Sequence, residues 1–284
     1  MNIALGIIVF ILGTIVGSFL NVVILRYSTG VSFFSGRSFC TSCGKKLSWY
    51  ELVPIVSFFV LRGKCAGCGS KISWQYPLVE LTTGALFVFS VMYELRFMNY
   101  EWIGVFNRNS LILSLNSLYL FFIWSILVVI SVYDLRHKII PDLLVFLFAG
   151  LSLTYLIVTT WTSGFQVSWD VLAGPLYALP FAALWFFSQG RWMGLGDAKL
   201  ALGIGWFLGL IKGGSAIILG FWMGAIVGLV LVGISKLSKI KKGRSFFKNY
   251  GLKSEIPFGP FLILGTMIAF FFNINVFDLG FILF

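Results

Sequence analysis

Two pairs of cysteines with equal spacing could bind a metal ion. The chain contains four cysteines, in two CxxC pairs separated by 21 residues: Cys40, Cys43, Cys65 and Cys68. Two such turns can complete the tetrahedral four-thiolate set that Zn²⁺ binds at about 2.3 Å, and four thiolates leave no open position for water. The spacing therefore predicts one structural zinc ion per chain. Two disulfides or a redox-active pair are the alternatives, although a reducing compartment disfavours structural disulfides.

Carboxylates at the ends of apolar runs could do acid–base chemistry. Four acidic residues fall at or inside such runs: Glu80, Asp134, Asp142 and Asp197. Ionisable groups there are costly and usually face the interior of a helix bundle, so they are functional candidates. Two carboxylates at one depth can share a proton, so that one takes a proton from water while its partner donates to a scissile carbonyl. Asp134 and Asp197 could form such a protease dyad, but spacing alone does not show that they meet, and helix capping explains each singly as well.

Asp142 has a simpler interpretation. It follows Pro141 at the start of an apolar run, and proline and an acidic group both suit the first turn of a helix. We therefore expect Asp142 to stabilise a helix N-terminus. The single histidine, His137, has no partner at ligand spacing, which argues against a zinc-dependent hydrolase.

Membrane-spanning helices must position these residues. The 284 residues are 59% hydrophobic and 11% charged, with a mean hydropathy of +0.97, which is too apolar for a soluble domain. A span needs about 20 apolar residues. The predicted fold is an all-α polytopic membrane protein of about eight transmembrane helices, with the cysteines in a loop between the first and second. The apolar runs are 3–25, 77–93, 112–133, 141–160, 171–188, 198–211, 215–235 and 257–274.

The distribution of Lys and Arg predicts the topology. All of them except Arg96, Arg108 and Lys212 fall in segments that are cytoplasmic if the cysteine loop is cytoplasmic. That orientation puts Asp134 and Asp197 on the cytoplasmic side. The basic stretch from Lys236 to Lys253 is typical of a loop beside anionic lipid, so no nucleic-acid partner is expected. The sequence shows no convincing repeat of 20 to 50 residues.

Several motifs in order carry a resemblance to a known family. They are the segment 17–26, the cysteine pairs joined by 54–57 and 61–65, the segment 76–80, Asp134 followed by 140–142, and Gly194-Leu195-Gly196-Asp197-Ala198-Lys199. With these motifs, the chain resembles the bacterial type IV prepilin peptidases, also called leader peptidase and N-methyltransferase. The resemblance covers nearly the whole chain.

This resemblance implies an activity and a location. Members are GxGD aspartyl proteases of the inner membrane, which implies that Asp134 and Asp197 are the catalytic pair. They cut the basic leader of prepilins and pseudopilins after a glycine at the cytoplasmic face. Many then methylate the new N-terminal amine with S-adenosylmethionine. The resemblance associates methylation with the first cytoplasmic loop, where Gly63 and Lys64 match positions linked to it.

The sequence adds two candidates and a division of the chain. Glu51 and Glu80 could hold the substrate ammonium or take its proton before methyl transfer. No glycine-rich βαβ fingerprint is present, which excludes a Rossmann-type donor domain and leaves the site of S-adenosylmethionine unassigned. The predicted parts are a first helix over 1–25, a zinc-binding loop over 26–76 and a protease core over 77–284. The oligomeric state is not indicated.

A transporter is the main alternative to an enzyme. Transporters also place acidic residues within spans, often at the bilayer midplane in broken helices related by inverted repeats. Here the aspartates sit at the ends of apolar runs, and the sequence shows no inverted repeat.

Overall fold

The computed structural model describes residues 3–27, 29–33, 36–97, 109–162, 169–240 and 256–279. Residues 241–253, which are most of the basic stretch from Lys236 to Lys253 expected to face lipid, lie outside them. The α-helices in the described residues are α1 (Ile3–Arg26), α2 (Val56–Val60), α3 (Gln75–Phe97), α4 (Asn109–His137), α5 (Asp142–Thr162), α6 (Ala173–Ser188), α7 (Leu195–Ile240), α8 (Gly259–Phe272) and α9 (Val276–Leu279). Short 3₁₀ helices cover Trp49–Leu52 and Trp169–Leu172.

Most of these helices are long and apolar. Five stretches are long and apolar enough to cross a membrane: Ile3–Arg26, Gln75–Arg96, Leu115–His137, Trp169–Ser188 and Leu195–Ser235. The apolar helices Asp142–Val158 and Gly259–Phe272 are shorter. No β-strand occurs in the described ranges, where extended pairing is limited to isolated bridges. The prediction of an all-helical membrane protein is thus confirmed, while the count of about eight spans stays a prediction.

The longest helix, α7, is interrupted at one glycine. Gly209 has φ 74° and ψ −172°, a conformation that side-chain-bearing residues avoid. The carboxylate of Asp170 occupies the space beside it, and Asp170 Oδ1 accepts a hydrogen bond from the Leu210 amide at 2.8 Å. The sequence predicted two runs here, 198–211 and 215–235. The helix is interrupted, but at Gly209 rather than between residues 211 and 215, where the hydropathy dips. The glycine backbone and the Asp170 carboxylate, which accepts from the Leu210 amide, define the position of the break.

The chain divides into two compact units, Met1–Val129 and Ile130–Phe284. In the first unit, α1 and α3 approach closely through small residues. A Cβ on Gly13 would lie 2.7 Å from Cα of Gly84, and one on Gly17 would lie 2.7 Å from Cα of Glu80. Such small-residue contacts let helix backbones pack tightly in a membrane. This packing sets the two ends of the cysteine loop side by side.

In the second unit, α7 packs against α5, α6 and α8. Glycines on α7 again allow the close approach, since a Cβ on Gly203 would lie 2.5 Å from the Phe148 ring. Phe207 and Phe270 stack with ring centroids 5.2 Å apart, which joins α7 to α8. The N-terminal ends of α7 and α8 are thereby held beside the last turn of α4.

Candidate active site and metal centre

The four cysteines converge on one point. Their Sγ atoms all lie within 4.8 Å of one another, and the Sγ atoms of Cys40 and Cys68 are 3.9 Å apart. Thiolates bound to one tetrahedral zinc ion at about 2.3 Å would be about 3.8 Å apart. The four described cysteines are free of disulfides. The donor set therefore fits a four-thiolate metal site.

Both cysteine pairs form the same turn. The amide of Gly44 donates to the Cys40 carbonyl at 2.8 Å, and the amide of Gly69 donates to the Cys65 carbonyl at 2.9 Å. Both glycines have left-handed backbones, with φ 72° and 71°, as the tight turns require.

The two turns belong to a short repeat. Residues 39–49 and 64–74 align at an offset of 25 residues as x-Cys-x-x-Cys-Gly-x-Lys-(Leu/Ile)-Ser-Trp, and each copy closes with an antiparallel bridge, Phe39 to Lys46 and Lys64 to Lys71. The sequence interpretation that found no repeat of 20 to 50 residues was wrong here. The copies are short and five of their eleven positions differ, so only the shared turn makes the repeat evident.

The charge state of the thiols is consistent with a cation site. Backbone amides, first that of Cys43 and then that of Ser42, lower the pKa of the Cys40 thiol to about 6. The Lys45 amide lowers the pKa of Cys43, but hydrogen bonding to Cys68 and the neighbouring Cys40 outweigh it and raise that pKa to about 11. Adjacent thiols resist joint ionisation, and a bound cation removes that resistance.

Glu51 is buried and serves the first cysteine turn. Its Oε1 accepts from Lys45 Nζ at 2.9 Å and its Oε2 accepts from the Ser48 amide at 2.8 Å. These contacts, the Ser48 amide first, hold the pKa of Glu51 below its usual value, and the carboxylate raises the pKa of Lys45. A role of Glu51 toward the substrate ammonium stays a prediction, since in this structure the carboxylate pairs with an ammonium of its own loop.

Glu80 lies in α3 and holds the start of α2. Its buried Oε2 accepts from the Ile55 amide at 2.7 Å. Ile55 has φ 61° and ψ −54°, which is rare for a β-branched residue, and it forms a tight turn in which the Val56 amide donates to the Pro54 carbonyl. The carboxylate therefore fixes a strained turn at the membrane end of the loop. Its predicted role in methylation is untested.

Gly63 and Lys64 follow the end of α2. The amide of Gly63 donates to the Phe58 carbonyl at 2.8 Å and that of Arg62 to the Phe59 carbonyl at 3.0 Å, which is a Schellman-type helix end. Gly63 has φ 65°, and a Cβ there would lie 3.2 Å from Phe58 Cζ. The glycine thus lets the chain turn over the Phe58 ring.

The two predicted catalytic aspartates both lie in the second unit, buried at helix ends. Asp134 lies in the last turn of α4 and is 4% exposed; Asp197 lies in the first turn of α7 and is 9% exposed. The two carboxylates are near enough for their charges to interact. The backbone amide of Gly194 lies beside the Asp197 carboxylate. The structure therefore places both buried carboxylates at helix ends of one unit, and their role as a catalytic pair stays a prediction.

The start of α8 completes this site, and sequence reasoning missed it. The Gly259 amide donates to Asp134 Oδ2 at 3.1 Å, and a Cβ on Gly259 would lie 2.8 Å from the same oxygen. Ile140 separates the starts of α7 and α8, since a Cβ on Gly196 would lie 2.8 Å from Ile140 Cβ. A glycine before Pro260 at the start of the eighth apolar run was the only signal.

Asp142 is the first residue of α5, in agreement with the predicted first helical turn. Its Oδ1 also accepts from Lys199 Nζ at 2.6 Å, a contact that sequence reasoning did not anticipate. The Lys199 ammonium lies 5.0 Å from the centroid of the Phe146 ring. The pair joins the first turns of α5 and α7, and the Asp142 side chain is 68% exposed.

Comparison with known proteins gives two family matches and several relatives. Residues 11–94 match the bacterial peptidase A24 N-terminal domain, and residues 120–230 match the type IV leader peptidase family. Proteins named prepilin leader peptidase/N-methyltransferase are similar to the chain. The one from Xanthomonas campestris pv. campestris is 32% identical over 94% of this chain and 91% of its own length. The one from Bacillus subtilis is 29% identical over 95% of both chains. No solved structure matches the chain significantly.

Proposed function

The chain belongs to the type IV leader peptidase family, and from that premise we propose that it cleaves the leader of type IV prepilins or pseudopilins with Asp134 and Asp197 and then N-methylates the product. The observation that carries the proteolytic part is the burial of both carboxylates at helix ends of one unit, near enough for their charges to interact. The relatives named prepilin leader peptidase/N-methyltransferase support both activities.

The aspartates perform the hydrolysis as a pair. The ionised carboxylate takes a proton from a water molecule while the water oxygen attacks the scissile carbonyl carbon, and the protonated partner donates its proton to the carbonyl oxygen. When the intermediate collapses, the C–N bond breaks, the leaving amine takes the proton that the first aspartate removed from water, a hydroxyl of the intermediate returns a proton to the second aspartate, and the leader departs with a new carboxyl terminus. The Gly259 amide holds the Asp134 carboxylate in place throughout. The proton balance is restored at the end of each cycle.

Methyl transfer is assigned to the cysteine loop. S-adenosylmethionine supplies the methyl group: the neutral N-terminal amine of the cut pilin bonds to the methyl carbon, the carbon–sulfur bond electrons remain on sulfur as S-adenosylhomocysteine, and the amine then loses a proton. Gly63, Lys64 and the buried Glu51 lie in this loop, and the buried Glu80 of α3 contacts it at Ile55. Cys40, Cys43, Cys65 and Cys68 would hold one zinc ion, which fixes the loop.

The same proposal assigns a location. The long apolar helices place the chain in a membrane, and its family supports a location in the bacterial inner membrane, with the bilayer as a partner. Counting the two parts of α7 on either side of Gly209 and the shorter apolar helices α5 and α8 as spans gives the proposed number of about eight. The basic cysteine loop then faces the cytoplasm by the positive-inside rule.

One experiment tests the two activities together. Purified protein in detergent is incubated with a type IV prepilin, with and without S-adenosylmethionine, and the products are identified by mass spectrometry. We expect loss of the leader in both reactions and one added methyl group only with the donor. An uncut prepilin in both reactions would contradict the proposal.

A second arm asks whether the activities use separate residues. The Asp197→Asn variant should neither cut nor methylate a full prepilin, because no new amine is formed. Given a pre-cut pilin and S-adenosylmethionine, the same variant should methylate it. Failure to methylate by a folded, zinc-loaded variant would show that the two reactions share one pocket.

A further inference from the structure

The short helix α2 exposes an apolar face. Val56, Phe59 and Val60 are each more than half exposed, whereas Phe58 is buried. Since successive residues of a helix are about 100° apart, the three exposed side chains share one side of α2 and Phe58 lies on the other. These three residues form the apolar face of α2. An exposed apolar patch outside the membrane spans indicates contact with lipid or with another protein.

The link between α2 and α3 puts this face at the membrane surface. The span Gln75–Arg96 has 22 residues, about 33 Å of helix, which matches a hydrocarbon core of about 30 Å and places Gln75 at its edge. The Glu80 side chain leans back toward that edge, as helical side chains do, and its Oε2 accepts a hydrogen bond from the Ile55 amide at 2.7 Å. Because Ile55 directly precedes α2, this helix begins level with the lipid headgroups.

A cavity with cationic walls adjoins the apolar face. It has a volume of about 600 Å³, and Phe59 of α2 and Trp74, the residue before α3, line it. The exposed basic residues Arg62, Lys64 and Lys71 line it as well, and no acidic side chain of the described residues does. Tryptophan is enriched at membrane–water interfaces, and basic side chains attract anionic headgroups. The cavity therefore has the composition of a lipid-facing site.

We propose that α2 and the second cysteine turn lie on the bilayer surface, with the apolar face among the acyl chains and the phosphate of an anionic phospholipid in the cationic cavity. Arg62, Lys64 and Lys71 donate to the phosphate, and Trp74 lies at the boundary with the acyl chains. An acidic protein partner would satisfy the three cations, but it would not account for the start of α2 at the depth of the headgroups. The inference requires neither leader cleavage nor methylation.

The internal repeat supplies a matched control for the charge. Lys46 occupies in the first copy of the repeat the position of Lys71 in the second. It is exposed and does not line the cavity. Lys71 suits the test better than Lys64, which is also a candidate for methylation and adjoins Cys65. Each Gln substitution removes one positive charge from the loop, so a difference between the two variants reports the cavity and not the net charge.

The first measurement is native mass spectrometry of the full chain in detergent, titrated with phosphatidylglycerol. A basic residue at an anionic lipid surface contributes about 1 kcal/mol, which is about fivefold in affinity. Lys71→Gln should therefore weaken the tightest phosphatidylglycerol site about fivefold, and Lys46→Gln should leave it within twofold. Zwitterionic phosphatidylcholine should bind that site at least about fivefold more weakly than phosphatidylglycerol. Glycerol phosphate, which has no acyl chains for the apolar face, should not displace the lipid at equal concentration.

The second measurement locates Trp74 by fluorescence in nanodiscs. The emission that is lost in Trp74→Phe, obtained by difference from the unmodified chain, belongs to this indole. Phospholipids that carry bromine near the headgroup end of the acyl chain should quench this emission. Iodide in the aqueous phase should not.

Equal phosphatidylglycerol affinity of the Lys71 and Lys46 variants would overturn the inference, and so would Trp74 emission that only iodide quenches. Displacement of the lipid by equal glycerol phosphate would assign the cavity to a free phosphate. Polyglutamate that binds the unmodified chain when phosphatidylglycerol does not would assign the cavity to an acidic protein. Either result contradicts a lipid site. Metal content and thermal unfolding check the fold of each variant, and if Lys71→Gln loses its metal, Arg62→Gln decides instead, because Arg62 lies outside the cysteine turn.

Discussion

Gly259 places a backbone amide, and no side chain, against the Asp134 carboxylate. The hydrogen bond of 3.1 Å orients the carboxylate from α8, and the site leaves no room for a methyl group because a Cβ would lie 2.8 Å from Oδ2. Orientation of this kind matters in catalysis, since a 1 Å misplacement can cost about 100-fold in rate.

The Gly259→Ala variant should therefore lose leader cleavage, with an initial rate lower by on the order of 100-fold. The added methyl group displaces the Asp134 carboxylate. The initial rate of leader release measures the resulting loss of activity. Gly150→Ala is the matched control, because a Cβ at that position of α5 meets nothing within 4 Å. Equal rates for the two variants would remove Gly259 from the site.

At the scale of elements, the two cysteine turns form one structural unit with α2 and the start of α3. The bridges and the amide contacts of the turns place Lys64 and Lys71 beside α2. Because metal binding is coupled to the folding of such segments, removal of one ligand should loosen the loop without altering the aspartates.

Cys65→Ser removes the buried ligand of the four. We expect zinc content to fall from one ion per chain, and methylation of pre-cut pilin to fall at least tenfold with it, while cleavage of prepilin stays within about threefold. Elemental analysis and mass spectrometry of the two reactions measure this. Thr41→Ala changes an exposed residue in the first turn and should retain the metal. A variant that keeps its zinc with full methylation would exclude Cys65 as a ligand.

The break in α7 makes a separate prediction. Gly209→Ala places a Cβ 2.7 Å from Asp170 Oδ1, at a φ of 74° that alanine avoids. Such strain costs about 1–3 kcal/mol, so the thermal unfolding temperature in detergent should fall by several degrees. In Gly233→Ala, the new Cβ meets nothing within 4 Å, so that temperature should hold or rise. An unchanged temperature for Gly209→Ala would mean that α7 is continuous there.

For the whole molecule, residues close in sequence were predictable and contacts between distant segments were not. Equal CxxC spacing predicted the convergence of the four thiols, and apolar runs predicted the helices. The contact of Gly259 with Asp134 joins residues 125 apart, and no local pattern encodes it. The ring of Phe58 likewise packs on that of Trp74, 16 residues further along the chain, with centroids 4.8 Å apart.

The central claim is that Asp134 and Asp197 form the hydrolytic pair, and leader cleavage by three asparagine variants tests it most directly. Asn is nearly isosteric with Asp but cannot share the proton that the pair requires. Asp134→Asn and Asp197→Asn should each release no detectable leader while zinc content stays at one ion per chain. Asp142→Asn should retain most activity, because an ion pair with a carboxylate 68% exposed contributes at most about 1 kcal/mol. Appreciable cleavage by either of the first two variants, or an equal loss at Asp142, would contradict the account.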